Sequence, residues 1–128
     1  MSTAVKPTGR VAVVNRGDGD YVAAQGMKVS PRISAATGAD RLCAFYVSLE
    51  AGAETAAHHH SNEETVVLVL EGSNKLWFGD NLEEMVEVHT GDLVFIPARC
   101  PHKVVAGPRG VTALEIRSGA MEVTVLTP

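Results

Sequence analysis

Apolar and polar positions alternate over short stretches of this chain, and no window of a dozen residues holds the three-and-four spacing of an amphipathic helix. The alternation and the β-branched content predict strands at Arg10 to Val14, Met27 to Ile33, Arg41 to Leu49, Thr55 to His60, Glu64 to Leu70 and Lys75 to Phe78. Further strands follow at Met85 to Val88, Leu93 to Ile96, His102 to Val105, Val111 to Ile116 and Glu122 to Leu126. Asp18-Gly19, Gly52, Glu71-Gly72, Gly79-Asp80-Asn81, Thr90-Gly91-Asp92, Gly107-Pro108 and Gly110 supply the positions that chain reversals need. The expectation is an all-β sandwich or barrel. The first forty residues read as edge strands or an arm on a partner subunit, and Met1 to Thr8 as a loose end.

Composition narrows the class. The 128 residues are enough for a single domain, residues 1–128, with a core that needs no disulfides. Fifteen acidic against eleven basic residues give a net charge of −4 with no basic run, which argues against nucleic acid and anionic membrane as partners. Only six aromatic residues argue against a platform that stacks sugars or bases. Cys43 and Cys100 match no zinc-knuckle or thioredoxin-like spacing and read as free thiols of a reducing compartment. The longest apolar run, Val66 to Leu70, falls far short of the roughly 18 residues of a membrane span, and the first ten residues hold no signal-like stretch, so a cytoplasmic address is expected.

The candidate chemistry is metal ligation. His58 and His60 stand two apart on a predicted strand, so their side chains leave one face roughly 6.5 to 7 Å apart along the backbone, while His59 points the other way. A turn at Ser61-Asn62 then brings Glu63, Glu64 and Thr65 back alongside, where a carboxylate could join the pair. His102, at the start of a later strand, is the candidate from distant sequence. Neutral imidazoles suit Zn, Cu, Fe or Ni, and an added carboxylate keeps Mn, Fe and Ni attractive, so the expected cofactor is a divalent transition metal. His59 reads as structural, His89 as a surface residue, Glu63 as solvated or an outer acceptor for an imidazole N–H, and Cys100 as a small buried hydrophobe.

Gly52, His58-His59-His60, Glu64 and the Val-Leu-Glu-Gly ending at Gly72 resemble the first cupin motif. Gly91 to Pro97, Arg99 and Pro101-His102 resemble the second, with eighteen residues between Gly72 and Gly91. Motif one thus spans 52–72 and motif two 91–106, and Trp77-Phe78-Gly79 is similar to a segment of single-domain cupins. The resemblance implies a double-stranded β-helix, or jelly-roll, barrel with His58, His60, Glu64 and His102 on the metal. Arg99 replaces the motif glycine, and Ala106 stands where asparagine is common.

The first motif contains a conflict of register. Counting forward from His60 places the carboxylate ligand at Glu64, whereas counting back from Gly72 places that position at Thr65. A one-residue slip turns a side chain to the opposite face of its strand. Either a β-bulge lets Glu64 face the cavity, or Thr65 faces it and the metal has three histidines with water in place of carboxylate. Larger residues follow on the Glu64 face, as Val66, Leu68 and Leu70, which makes Glu64 the expected ligand. The expected inward set is Phe45, Val47, Leu68, Leu70, Trp77, Phe95, Val104 and Leu114, with Tyr46 or Arg41 as polar anchors.

The functional expectation is a metal-dependent enzyme acting on a small molecule, with dioxygenase- or isomerase-like chemistry as the resemblance implies. The alternatives are a non-catalytic metal- or ligand-binding module and a metal-free sugar-nucleotide epimerase, for which the seven arginines form no obvious cluster. The resemblance also implies a homodimer.

Overall fold

A computed structural model describes residues 9–15, 21–24, 26–119 and 125–126. Its strands are β1 (Val22–Ala24), β2 (Met27–Ile33), β3 (Leu42–Leu49), β4 (His58–His59), β5 (Thr65–Phe78), β6 (Glu84–His89), β7 (Leu93–Ile96), β8 (His102–Ser118) and β9 (Val125–Leu126). All pairings among them are antiparallel. The expected all-β fold is observed, with one 3-10 turn at Ala35–Thr37 capped by the Ser34 side chain. Arg10 to Val14 is not a strand. Met1 to Thr8, Asp18-Gly19 and Glu122 to Thr124 lie outside the described residues.

Two long strands organise the barrel. β5 and β8 pair from Thr65↔Arg117 to Gly72↔Val111, shift register, and pair again from Asn74↔Ala106 to Phe78↔His102. The expected turns at Glu71-Gly72 and Gly107-Pro108 are therefore corners within continuous strands, where bulges bend the backbone without ending it. Gly72 has φ 82°, and a Cβ there would run into the Gly110 carbonyl, so the strands can touch at this corner only without a side chain. Before the corner β5 lies between β7 and β8, with β3, β2 and β1 continuing the sheet beyond β8. After it, β5 pairs β6 and β8, and β8 leads on to β4 and β9. Buried residues of both halves, among them Phe45, Val47, Val69, Leu76, Val88 and Ile96, pack into one core, so the halves face each other as in a jelly roll.

Alternation fixes what each strand shows the interior. Cys43, Phe45, Val47 and Leu49 of β3 and Val111, Ala113 and Arg117 of β8 are buried. On β5 the inward positions are Thr65, Val67 and Val69, which corrects the phase expected from sequence. Leu68, Leu70, Trp77, Phe95 and Leu114 are consequently not interior residues, whereas Phe45, Val47 and Val104 are. The outer face is apolar as well: Val66 is paired with Phe95 and Ile116, and Leu68 with Leu93 and Leu114. Leu93 is 70% and Phe95 58% exposed on that face.

Candidate metal centre

His58, on β4, is paired directly across from His102, the first residue of β8, and His60 follows two positions later on the same run. All three rings are buried. Ring centroids are 4.3 Å apart for His58 and His102, 5.2 Å for His58 and His60, and 5.4 Å for His60 and His102. One potential ligand nitrogen from each lies within 4.8 Å of the others.

Two rings are oriented by the same local device. His58 Nδ1 is 2.7 Å from the Ala56 carbonyl and His102 Nδ1 is 2.8 Å from the Cys100 carbonyl, in each case two residues upstream. A carbonyl oxygen only accepts, so Nδ1 carries the proton and donates, and Nε2 keeps its lone pair. Thr55 ties the His58 run to β8, its backbone N–H donating to Val104 O and its Oγ1 accepting from Val104 N–H, each at 2.9 Å. Arg99, three residues before His102, ties the two histidine segments together: its N–H donates to His60 O at 2.7 Å and its Nη1 to Ser61 O at 3.3 Å. It does so at φ 62°, the left-handed conformation that the motif glycine ordinarily supplies.

Burial pushes the His102 pKa down to about 4; the Cys100 carbonyl opposes this, and the charges of His58, Arg117 and His59 add to it. Burial likewise lowers His58, against the raising effect of the Ala56 carbonyl and with Arg117 and His59 acting in the same sense as burial. Both rings are thus neutral near pH 7, the form that binds a metal. Unfolded, the His102 ring would titrate near 6.5; between that value and about 4 the unfolded chain holds more protons, so acid favours unfolding. The metal-free protein is expected to lose roughly 3 kcal/mol through His102 as pH falls from 6.5 to about 4, with the full contribution present above 6.5. Urea midpoints measured at both ends of that range check it.

Glu64 does not join the histidines. It is exposed, its backbone N–H donates to Ser118 Oγ at 2.8 Å and its carbonyl accepts from Ser118 N–H at 2.9 Å. These bonds fix Glu64 outward and its neighbour Thr65 inward, so the strand obeys the count from Gly72, and the irregularity falls at Val69/Glu71 instead of before Glu64. The expected Glu64 ligand is corrected accordingly. Thr65 is 1% exposed, and its Oγ1 has no hydrogen-bond partner among the described residues. Glu63 turns to the Asn62 N–H, at 3.2 Å, and His89 lies on the surface beside Asp92. Arg41 is exposed and anchors nothing inside.

The cavity beside the histidines has a volume of about 40 Å³ and is lined by His58, His102 and a mostly apolar wall that includes Val47, Val69, Leu76 and Ile96. Three polar residues of that wall were not singled out from sequence: Thr55, Asn74 and Glu115. Glu115 Oε2 lies 2.6 Å from Nη2 of Arg117, a guanidinium 1% exposed and 4.9 Å from the centre of the Phe45 ring. The signal for this pair was the inward phase of Val111, Ala113, Glu115 and Arg117, which places two opposite charges at adjacent interior positions. Among the described residues no helix is long and apolar enough to cross a membrane.

Structural comparison finds similar folds in several proteins. RemF, a polyketide cyclase of Streptomyces resistomycificus, matches with TM-score 0.78 and 26% identity over 93% of this chain and 87% of RemF. KdgF from Halomonas sp. matches with TM-score 0.74 and 17% identity over 88% of this chain and 97% of KdgF. An oxalate decarboxylase of Bacillus subtilis matches with TM-score 0.75 and 22% identity over 94% of this chain and 33% of the decarboxylase. Comparison with curated proteins gives no match. The cupin domain family model matches residues 45–117, a span that contains both histidine segments and the paired charges of β8, and the chain belongs to the cupin family.

Proposed function

We propose that this cupin is a metal-dependent enzyme acting on a small molecule, with His58, His60 and His102 holding one divalent transition ion. The observation that carries the reading is the convergence of three buried imidazoles, two of which, His58 and His102, line one cavity. The donor set fits such an ion, since burial favours the neutral rings and the Ala56 and Cys100 carbonyls leave Nε2 of His58 and His102 free to coordinate. When bound, the ion would supply a Lewis acid and an open coordination position, which suits oxygenase- or isomerase-like chemistry. The chain's own part is to orient the rings through those carbonyls, to hold their segments together through Thr55 and Arg99, and to keep bulk water out with the apolar wall. The cyclase and the decarboxylase among the similar structures support catalysis in this fold without selecting a reaction.

Mass spectrometry of protein purified without a histidine tag tests the reading: about one transition ion per chain is expected. No bound metal, together with no thermal shift on adding Fe, Mn, Ni, Cu or Zn, would remove it. A cytoplasmic address belongs to the same proposal and is favoured by the two free cysteines, which suit a reducing compartment.

We also propose that the protein is a homodimer that covers the outer face of β7, β5 and β8. Two-fold symmetry would set the apolar strip of Leu93, Phe95, Val66 and Ile116 against its own copy. Light scattering is expected to give twice the 13.5 kDa of one chain, and Phe95→Glu to give the single-chain mass. A wild-type protein at 13.5 kDa would end this proposal.

A further inference from the structure

The cavity beside the histidines contains a charged side chain that metal ligation does not use. Glu115 lines it together with His58 and His102. Arg117, two residues further along the inward face of β8, grips Glu115 Oε2 at 2.6 Å. That guanidinium is 1% exposed and lies over Phe45, so the carboxylate is held by a partner that is itself confined. Of the other polar wall residues, Thr55 already uses its hydroxyl on the Val104 N–H. A bound molecule would therefore meet two histidines, the Asn74 amide and one carboxylate on an otherwise apolar wall, and of these polar groups Glu115 alone carries a negative charge.

An ionised carboxylate accepts hydrogen bonds and donates none. Among apolar walls it favours a ligand that brings an O–H or N–H and disfavours an anion that has no proton to share. From this arrangement we infer that Glu115 is the specificity-determining residue of the centre. It selects a small protic oxygen ligand, of the hydroxy-acid or hydroxamate kind, whose oxygen faces the histidines and whose O–H or N–H donates to Glu115. Arg117 is the positioning residue that aims the carboxylate. About 40 Å³ has room for roughly three waters, which favours a compact ligand. The inference rests on the three-histidine reading above.

The test is calorimetric titration of the zinc-loaded full chain with acetohydroxamic acid, which is protic, and with azide, which is an anion without a donor. Wild type is compared with Glu115→Gln and with the double variant Glu115→Gln/Arg117→Met, in which neither charge of the pair is left buried alone. Both variants are expected to bind acetohydroxamic acid about tenfold to a hundredfold more weakly, with azide unchanged or tighter and zinc content equal to wild type. Equal weakening of both ligands, or no change in either, would overturn the inference. Loss of zinc from the variants alone would make Glu115 a ligand and overturn it too. If wild type itself retains no zinc, the three-histidine reading has failed, and this inference falls with it.

Discussion

His102→Ala is expected to abolish binding of the metal proposed above while leaving the barrel folded. Substitutions of groups that only hold a metal ligand in place commonly weaken binding by about 10- to 100-fold, so removal of one of three ligands should exceed about a hundredfold. Metal content measured after gel filtration would then fall from about one ion per chain to a trace. The fold should survive because β8 keeps its pairing with β3 over Val111 to Ser118 and with β5 on both sides of the corner, neither of which depends on an imidazole. Circular dichroism serves as the control. Glu64→Gln provides the contrast, since an exposed side chain tied to the site only through its backbone should leave metal content unchanged. Metal lost from Glu64→Gln and kept by His102→Ala would reverse the assignment made from this geometry.

The second large effect is expected from Arg117→Met. This substitution removes the guanidinium paired with the Glu115 carboxylate at the edge of the core, and breaking a buried pair from one side typically costs about 3–5 kcal/mol. Contact between the guanidinium and the Phe45 ring is lost at the same time. Replacing both members together, as Glu115→Gln/Arg117→Met, should recover most of the loss, because no buried charge then stands alone. Urea midpoints of the two variants against wild type decide it. A double variant no more stable than the single one would assign the value of Arg117 to its packing on Phe45 instead of to its charge.

Much of this was legible in the chain, and what was not has definite causes. β2 and β7 have the bounds that alternation predicts, and β3 differs by one residue, because each is bordered by residues that end a strand. The histidine set was legible because His58 and His60 alternate onto one face of a strand and His102 stands at the matching place of the second cupin motif, and the pairing of His58 with His102 brings the three together. The phase of β5 was not, because Val66, Val67, Leu68, Val69 and Leu70 are apolar on both faces. One face packs the core and the other carries the exposed strip shared with Leu93 and Phe95, so size alone pointed the wrong way. What settles the phase is a long-range contact, the pairing of Glu64 with Ser118 at the far end of β8. Glu115 was missed for a related reason: Leu114 was assigned to the interior, and its neighbour thereby to solvent. The corner at Gly72 was read as a turn because a positive-φ glycine marks a reversal and a bulge alike; only the partner strand distinguishes them.

The carbonyls of Ala56 and Cys100 grip their rings from two residues upstream, in the segments that lead into β4 and β8. Vacating the centre would therefore release little side-chain motion, and refilling it would require little rearrangement. A domain of this build should exchange its metal from the folded state, at a pace governed by ligand dissociation and entry through the barrel mouth, unlike small zinc modules that collapse when chelated. If the centre holds an ion as proposed, its identity in a cell would then follow the free metal concentrations around it as much as the preferences of three imidazoles.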